Sequence, residues 1–224
     1  MTPRLMASSL HIADHQMAPL VLVGGGGHAL VVAEAAGASG WSIVGFLDDD
    51  ADAPLGRAPN PAMRIGPLEE LARIGDRHWL VATGAIAFRS TLIERLAQLE
   101  LMRTVRSVVH PSAVVSPTAR IGRGVFIGPG AIVNARAQVL DHAIINSGAI
   151  VEHECVVGFN THVAPGAVIA GRVRVGSHTL IGMGARVLPN LSVGDHCTIG
   201  AGSVVVRSVI DDQTMIGVPA RAKA

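Results

Sequence analysis

A six-residue register runs through the second half of the chain and constrains its fold more than any other feature. Starting at Val109, every sixth residue as far as Val205 is valine or isoleucine. The positions between are Val115, Ile121, Ile127, Val133, Val139, Ile145, Val151, Val157, Val163, Ile169, Val175, Ile181, Val187, Val193 and Ile199. An α-helix repeats its apolar stripe every 3.6 residues, so this period indicates a short strand and a tight turn, repeated many times.

A second series lies two residues before each member of the first series, and it consists mostly of small residues. Larger members occur only at Val125, Val173 and Leu191. Three six-residue units make one triangular coil of about 18 residues, and successive coils stack at about 4.8 Å by parallel strand pairing. We therefore predict a left-handed parallel β-helix over residues 106–210, with no long loop leaving it, and a C-terminal tail over 211–224. Flat prism faces of this kind are expected to pack in a homotrimer.

Residues 18–105 show a different pattern, in which strands alternate with helices. The buried strand 20–23 runs into four glycines and His28, and the next strand ends at Asp48 and Asp49. Backbone N–H groups at such a turn can hold phosphate oxygens, and a carboxylate about 20 residues later can bind ribose. Because Ala29 replaces the third glycine of a dinucleotide fingerprint, we expect a Rossmann-like α/β domain for a mononucleotide diphosphate. A glycine turn beside a solvated acidic loop is the alternative.

Charge and hydropathy exclude several other classes of function. The net charge of +1 gives no electrostatic footprint for nucleic acid or an anionic membrane, and the longest apolar runs are too short to span a bilayer. The two cysteines, Cys155 and Cys197, cannot form a disulfide framework. With no secretory signal, they indicate a cytoplasmic protein. Residues 1–17 are expected to be a disordered extension.

Several motifs together resemble one family of bacterial enzymes. They are the Gly-rich turn at 24–28, Phe-Leu-Asp-Asp at 46–49, Ala-Thr-Gly at 82–84, the run 146–155 with its Glu-His-Glu segment, and Gly-Val-Pro-Ala at 217–220. Over residues 18–224 the chain resembles nucleotide-sugar N-acetyltransferases of the bacillosamine and perosamine pathways, with sialic acid O-acetyltransferases as relatives. The resemblance implies transfer of an acetyl group from acetyl-CoA to the amine of a 4-amino-4,6-dideoxy sugar linked to UDP, GDP or dTDP.

The resemblance also implies roles for particular residues. His153 is the general base, Glu154 supports it, and Asn146 contacts the sugar. The residues implied for the coenzyme A groove are His162, Met183 and Ala201. The residues implied for the nucleotide are Gly26, Gly27, His28, Asp48, Asp49 and Gly84. Ala85 and Ile86 follow Gly84 where the family often has asparagines, so the identity of the base stays open.

The position of His153 in the register agrees with this role. It comes two residues after the inward Val151, so we predict that it points out of the prism, where a neighbouring subunit can cover it. The flanking carboxylates of Glu152 and Glu154 are expected to favour its imidazolium and to fix its orientation. Such a histidine suits a base that takes a proton from an attacking amine.

Three alternatives remain open from the sequence. Acetylation of a sugar hydroxyl is not excluded. A metal-dependent hydratase on the same prism is another, because the turn residues His142, Asn160, His178 and His196 recur every 18 residues and are predicted to stack in one column. No carboxylate joins that column, so we expect no metal there. The third is a nucleotide-binding scaffold without enzymatic activity.

Overall fold

The computed structural model describes residues 18–223, so the extension predicted for residues 1–17 lies outside the described residues. Both predicted architectures are present: a parallel α/β sheet, followed by a long left-handed parallel β-helix. Among residues 18–223, no helix is long and apolar enough to cross a membrane.

The α/β part is a four-stranded parallel sheet with helices around it. Its elements are β1 (Ala18–Val23), α1 (Gly27–Ala38), β2 (Trp41–Leu47), β3 (Arg64–Gly66), β4 (His78–Val81) and α2 (Ile86–Gln98), with 3-10 helices at Pro54–Arg57, Leu68–Ile74 and Leu101–Arg103. The strand order is β3-β2-β1-β4. The central strand β1 is fully buried over residues 20–23, because other elements cover both faces of the sheet. The pattern did not predict β3, which has only three residues.

The β-helix consists of two-residue strands, and four residues separate each strand from the next, of which the middle two form a tight turn. They are β5 (Val108–Val109), β6 (Val114–Val115), β7 (Arg120–Ile121), β8 (Phe126–Ile127), β9 (Ile132–Val133), β10 (Gln138–Val139), β11 (Ile144–Ile145), β12 (Ile150–Val151), β13 (Val156–Val157), β14 (His162–Val163), β15 (Val168–Ile169), β16 (Arg174–Val175), β17 (Leu180–Ile181), β18 (Arg186–Val187), β19 (Ser192–Val193), β20 (Thr198–Ile199) and β21 (Val204–Val205). Two further strands, β22 (Thr214–Ile216) and β23 (Arg221–Ala222), extend the last coil. Equivalent residues of neighbouring coils are 18 positions apart, as Ile127 and Ile145 are.

The strands fall on three faces. Face 1 carries β5, β8, β11, β14, β17, β20, β22 and β23; face 2 carries β6, β9, β12, β15, β18 and β21; face 3 carries β7, β10, β13, β16 and β19. The turns form three edges, which we name the first edge (faces 1 and 2), the second edge (faces 2 and 3) and the third edge (faces 3 and 1). Because one coil has 18 residues, the position of a residue in that period determines its edge.

The two predicted series fill the interior of the prism. Ala149 and Val151 are both fully buried, and the same alternation repeats in the neighbouring coils. Cys155 belongs to the small series, as predicted, and its Sγ lies 3.0 Å from the carbonyl oxygen of Ala170. Burial raises the pKa of this thiol, so it packs the core rather than acting as a nucleophile.

The α/β part covers face 1 and leaves face 2 open. Val108, Phe126 and Ile144 point outward from face 1 and are buried in one cluster with residues of β1, α1 and β2. The corresponding outward residues of face 2 are only partly buried or exposed, and most are apolar: Val114, Ile132, Ile150, Val168, Arg186 and Val204. One apolar face is therefore covered within the chain, and a second is not.

Candidate active site

The glycine loop connects β1 to α1. The N–H of Gly25 donates to Oδ2 of Asp48 at 2.6 Å, which ties the loop to the end of β2. A side chain at Gly25 would collide with the ring of Phe46, whereas Gly26 and Gly27 face open space. Helix α1 begins at Gly27, and no side chain caps its first turn. The loop and the helix N-terminus can therefore hold an anion against backbone N–H groups.

The two predicted aspartates lie beside this loop. Oδ1 of Asp48 accepts the N–H of Asp50 at 2.9 Å, and Oδ1 of Asp49 accepts the N–H of Leu68 at 2.8 Å. Both oxygens of Asp48 are thus occupied by backbone N–H groups of the loops around it. Asp48 therefore contributes to the site chiefly by shaping the glycine loop.

Four predicted residues meet where the α/β part reaches the first edge. Nδ1 of His162 lies 3.1 Å from the carbonyl oxygen of Gly84, and Nδ2 of Asn146 lies 3.1 Å from Nε2 of His162. A carbonyl oxygen only accepts, so Nδ1 carries the proton and Nε2 accepts from the amide. The ring of His28 is 6.3 Å from that of His162, between centroids. The structure therefore brings together His28, Gly84, Asn146 and His162.

The histidines of this cluster are neutral. Burial lowers the pKa of His28 to about 4, with the charges of His162 and Arg89 as further causes. Burial and then the charge of Arg89 lower the pKa of His162 to about 4 as well. Since both ring nitrogens of His162 are already hydrogen-bonded, this residue is a poor candidate for a general base.

Arg89 of α2 is a residue of this region that the sequence did not identify. Its side chain is buried, and it donates from Nε to Oδ1 of Asn160 at 2.5 Å, from Nη2 to the Asn160 carbonyl at 2.8 Å, and from Nη1 to the Thr83 carbonyl at 3.1 Å. Burial lowers its pKa to about 10, so it keeps its charge at neutral pH. Nothing in the pattern of α2 distinguishes it from a solvated arginine.

The first edge has glycine at one turn position of each coil along most of its length. Glycine in the left-handed conformation occupies the same turn position in five coils, and an added side chain would meet nothing within 4 Å at Gly130, Gly148, Gly166, Gly184 or Gly202. Met183 and Ala201, predicted to contact the coenzyme, precede two of these glycines and are exposed. The backbone at these five glycines is therefore open to an approaching ligand.

His153 and Glu154 lie on the second edge. Nδ1 of His153 is 3.5 Å from Oε2 of Glu154, and the histidine side chain is half exposed, as predicted. The ring packs over Gly171 of the next coil. Of the two flanking carboxylates, that of Glu154 faces the ring, whereas Oε2 of Glu152 accepts the backbone N–H of His153 at 3.3 Å. Glu154 holds Nδ1, which leaves Nε2 as the basic nitrogen.

The third edge carries the predicted column of polar turn residues. The rings of His178 and His196 stack with centroids 4.9 Å apart and planes within 2°, and Nδ2 of Asn160 lies 3.0 Å from Nδ1 of His178. His142 is buried, with its ring against Trp79. Over residues 18–223, no group of three or more His, Cys, Asp or Glu side chains is placed to share a metal ion.

Comparison with known proteins matches both parts of the chain. A family described as the PglD N-terminal domain matches residues 19–96, and one described as bacterial transferase hexapeptide (six repeats) matches residues 172–207. Curated proteins gave no match. PerB from Caulobacter crescentus, solved with CoA and GDP-perosamine, is 37% identical with a TM-score of 0.84, over 92% of this chain and 98% of that chain. This chain belongs to the bacterial nucleotide-sugar N-acetyltransferase family.

Two further structures are similar to this N-acetyltransferase. The acetyltransferase domain of PglB from Neisseria gonorrhoeae FA1090, solved with acetyl coenzyme A, is 33% identical with a TM-score of 0.85, over 92% of this chain and 100% of that chain. WeeI from Acinetobacter baumannii AYE shares the fold at 22% identity, over 92% of this chain and 100% of that chain, with a TM-score of 0.74. The family, the fold class and the acyltransferase class predicted from the sequence are confirmed.

The predicted site residues of the N-acetyltransferase form two groups within one chain. His28 of the glycine loop and His162 of face 1 lie beside Asn146 at the first edge, whereas His153 and Glu154 lie at the second edge, across face 2. Asn146 and His153 are seven residues apart, which is more than one six-residue unit, so they occupy different edges. The roles of the individual residues stay predictions.

Proposed function

We propose that this enzyme transfers the acetyl group of acetyl-CoA directly to the amine of a nucleotide-linked 4-amino-4,6-dideoxy sugar. The observation that carries the proposal is the separation of two complementary groups: an anion-holding loop with neutral histidines at the first edge, and a carboxylate-paired histidine at the second edge. The family supports it, since PerB was solved with CoA and GDP-perosamine.

The nucleotide diphosphate is proposed to bind at Gly26, Gly27 and the start of α1. The two glycines leave room for phosphate oxygens, and the N-terminal end of the helix dipole favours a negative charge. Asp49 and Gly84 flank this position at the ends of β2 and β4. The sugar would then extend toward Asn146, whose amide is oriented by His162.

Acetyl-CoA is proposed to lie along the first edge. The thioester would lie near His162, and the pantetheine arm would run past Met183 and Ala201 along the left-handed glycines. A line of glycines suits an extended arm, because the arm can approach peptide groups closely there. In PglB, the acetyltransferase domain was solved with the same co-substrate.

The complete site is proposed to form between subunits of a homotrimer. If face 2 packs around a threefold axis, its exposed apolar residues become buried. The same arrangement places the first edge of one subunit beside the second edge of its neighbour. The site formed by Asn146 and His162 would then be completed by His153 and Glu154 of the neighbouring copy, which explains why one chain holds them apart.

The reaction follows from this arrangement. The neutral amine attacks the thioester carbonyl carbon, Nε2 of His153 accepts the proton that the nitrogen loses, and the collapsing tetrahedral intermediate expels the thiolate. His153 then returns its proton to that thiolate, so the base is regenerated and no acyl-enzyme forms. General base catalysis contributes about 10²- to 10⁴-fold, and alignment of the two substrates supplies much of the remainder.

We also propose a division into a nucleotide-sugar-binding domain over 18–105, a β-helix over 106–210 and a tail over 211–224. The tail would extend face 1 through β22 and β23. A cytoplasmic location is proposed as well, and it agrees with two buried, unpaired cysteines, Cys155 and Cys197.

The proposal is tested with acetyl-CoA and a panel of UDP-, GDP- and dTDP-linked amino sugars, monitoring release of free thiol. We expect turnover of at least one 4-amino sugar and none of its 4-hydroxy counterpart. His153→Asn should lower kcat by about 10²- to 10⁴-fold, whereas His196→Asn, at an exposed turn of the third edge, should leave it unchanged. Absence of turnover across the panel, or full activity of His153→Asn, would contradict the proposal. Turnover of the hydroxy sugar alone would indicate O-acetylation.

A further inference from the structure

The second edge carries a column of three charged side chains around the proposed base. Arg136, Glu154 and Arg172 are 18 residues apart in sequence and occupy the same turn position in successive coils. All three have left-handed backbone conformations, with φ of 61°, 60° and 61°. Residues with a Cβ rarely adopt this conformation, and the first edge fills the same position with glycine.

Their contacts converge on one carboxylate. Nη1 of Arg136 lies 3.3 Å from Oε1 of Glu154, and Nε of Arg172 lies 3.1 Å from Oε2. Oε2 is also the atom that lies 3.5 Å from Nδ1 of His153. The carboxylate that faces the base is thus shared between one imidazole and two guanidinium groups, one from the coil before it and one from the coil after it.

This sharing affects charge as well as orientation. The hydrogen bond from Arg172, and then the charge of Arg136, hold the pKa of the Glu154 carboxyl below its usual range, so it stays ionised. The other charged groups near the column are Glu152, which binds the backbone N–H of His153, and two arginines of face 3. Those two, Arg120 and Arg174, line a pocket of about 360 Å³ that also contains Arg136 and Glu154.

We propose that Arg136 and Arg172 are positioning residues for the acetyl transfer. They hold Glu154 so that Oε2 orients Nδ1 of His153 and leaves Nε2 toward the substrate. By engaging the same carboxylate, they also limit how strongly Glu154 favours the protonated imidazole. The inference rests on the proposed function of His153 as the base. It adds that Arg136 and Arg172 act on His153 through the Glu154 carboxylate and not by direct contact with the imidazole.

The first test is the pH dependence of kcat/KM. Arg172→Gln frees one side of Glu154 for the imidazolium, so the acidic limb should move to higher pH. On the acidic limb kcat/KM should then fall about threefold, the size expected for an exposed pair, while its value on the high-pH plateau changes less. Arg172→Lys should restore part of the wild-type profile. Arg174→Gln, two residues along and without a contact to Glu154, should give the wild-type profile.

A double-mutant comparison distinguishes an effect that passes through Glu154 from a direct electrostatic effect of Arg172 on His153. In a Glu154→Gln background, Arg172→Gln should no longer move the acidic limb. A shift that persists in that background, or no shift in Arg172→Gln itself, would overturn the proposal.

Titration of the trimer with ¹³C-labelled histidine, followed by NMR, gives a readout without substrates. The signal of His153 is identified by its loss in His153→Asn, and its midpoint should rise in Arg172→Gln and stay unchanged in Arg174→Gln. Unchanged midpoints in both variants would reject the inference even if acetyl transfer is observed. A shifted midpoint together with no acetyl transfer would support the coupling of Arg172 to His153 through Glu154, and it would contradict the proposed function.

Discussion

At the scale of residues, the chemistry depends on where each histidine sits. His28 and His162 are partly buried and neutral, while His153 is half exposed and paired with Glu154. The sequence identified all three through motifs, but it did not reveal that Glu152 binds a backbone N–H, because side-chain direction within a turn is not encoded by the six-residue period. The arginines around Glu154 could have been found, since they are one coil away in sequence on either side.

Gly171 provides the space for the ring of His153. An ideal Cβ there would lie 2.5 Å from Nε2 of His153, which real contacts essentially never allow. We expect Gly171→Ala to displace the ring and to lower kcat by roughly 10- to 100-fold with little change in KM, because small errors in position strongly affect rate. The matched control is Gly37→Ala in α1, where an added Cβ meets nothing within 4 Å. Unchanged kcat in Gly171→Ala would contradict this packing.

At the scale of elements, the sequence is most informative where the period is strict. The register predicts every coil from Val109 to Val205, because each strand must turn the same side chain inward to fill a narrow core. It is least informative about contacts between the two parts. Arg89 lies on an ordinary amphipathic helix, and its burial depends on Asn160, which is 71 residues away. No local pattern specifies such a pairing.

Arg89 connects α2 to the third edge through three hydrogen bonds. In Arg89→Met, the Thr83 carbonyl and both oxygens of Asn160 lose their donors, so we expect the unfolding free energy to fall by roughly 3 kcal/mol. The same variant should raise KM for the nucleotide sugar, since Gly84 follows Thr83. Thermal denaturation and acceptor kinetics measure the two effects. Arg95 lies on the same helix as Arg89 and donates to the Leu68 carbonyl of the 3-10 helix Leu68–Ile74, so Arg95→Met should leave acceptor KM unchanged. Unaltered stability in Arg89→Met would contradict the described connection.

At the scale of the whole molecule, the arrangement of faces has the largest consequence. Face 1 is covered by the α/β part of the same chain, and face 2 remains an apolar surface between the two halves of the proposed site. The sequence predicted a trimer from the flat faces, but not that the trimer would complete the site. That conclusion requires knowing which edge each residue occupies and which face the other domain covers.

The central claim is that His153 of one subunit acts on the acceptor held by its neighbour. It is tested most directly by mixing two inactive variants within one trimer, His153→Asn, which keeps the acceptor site, and Gly27→Trp, which fills the phosphate loop and keeps the base. Thiol release is then measured with the amino sugar that the panel identifies. Random mixing should restore about a quarter of the wild-type rate, because about a quarter of interfaces combine an intact acceptor site with an intact base. Mixed trimers that stay as inactive as their parents would contradict the account.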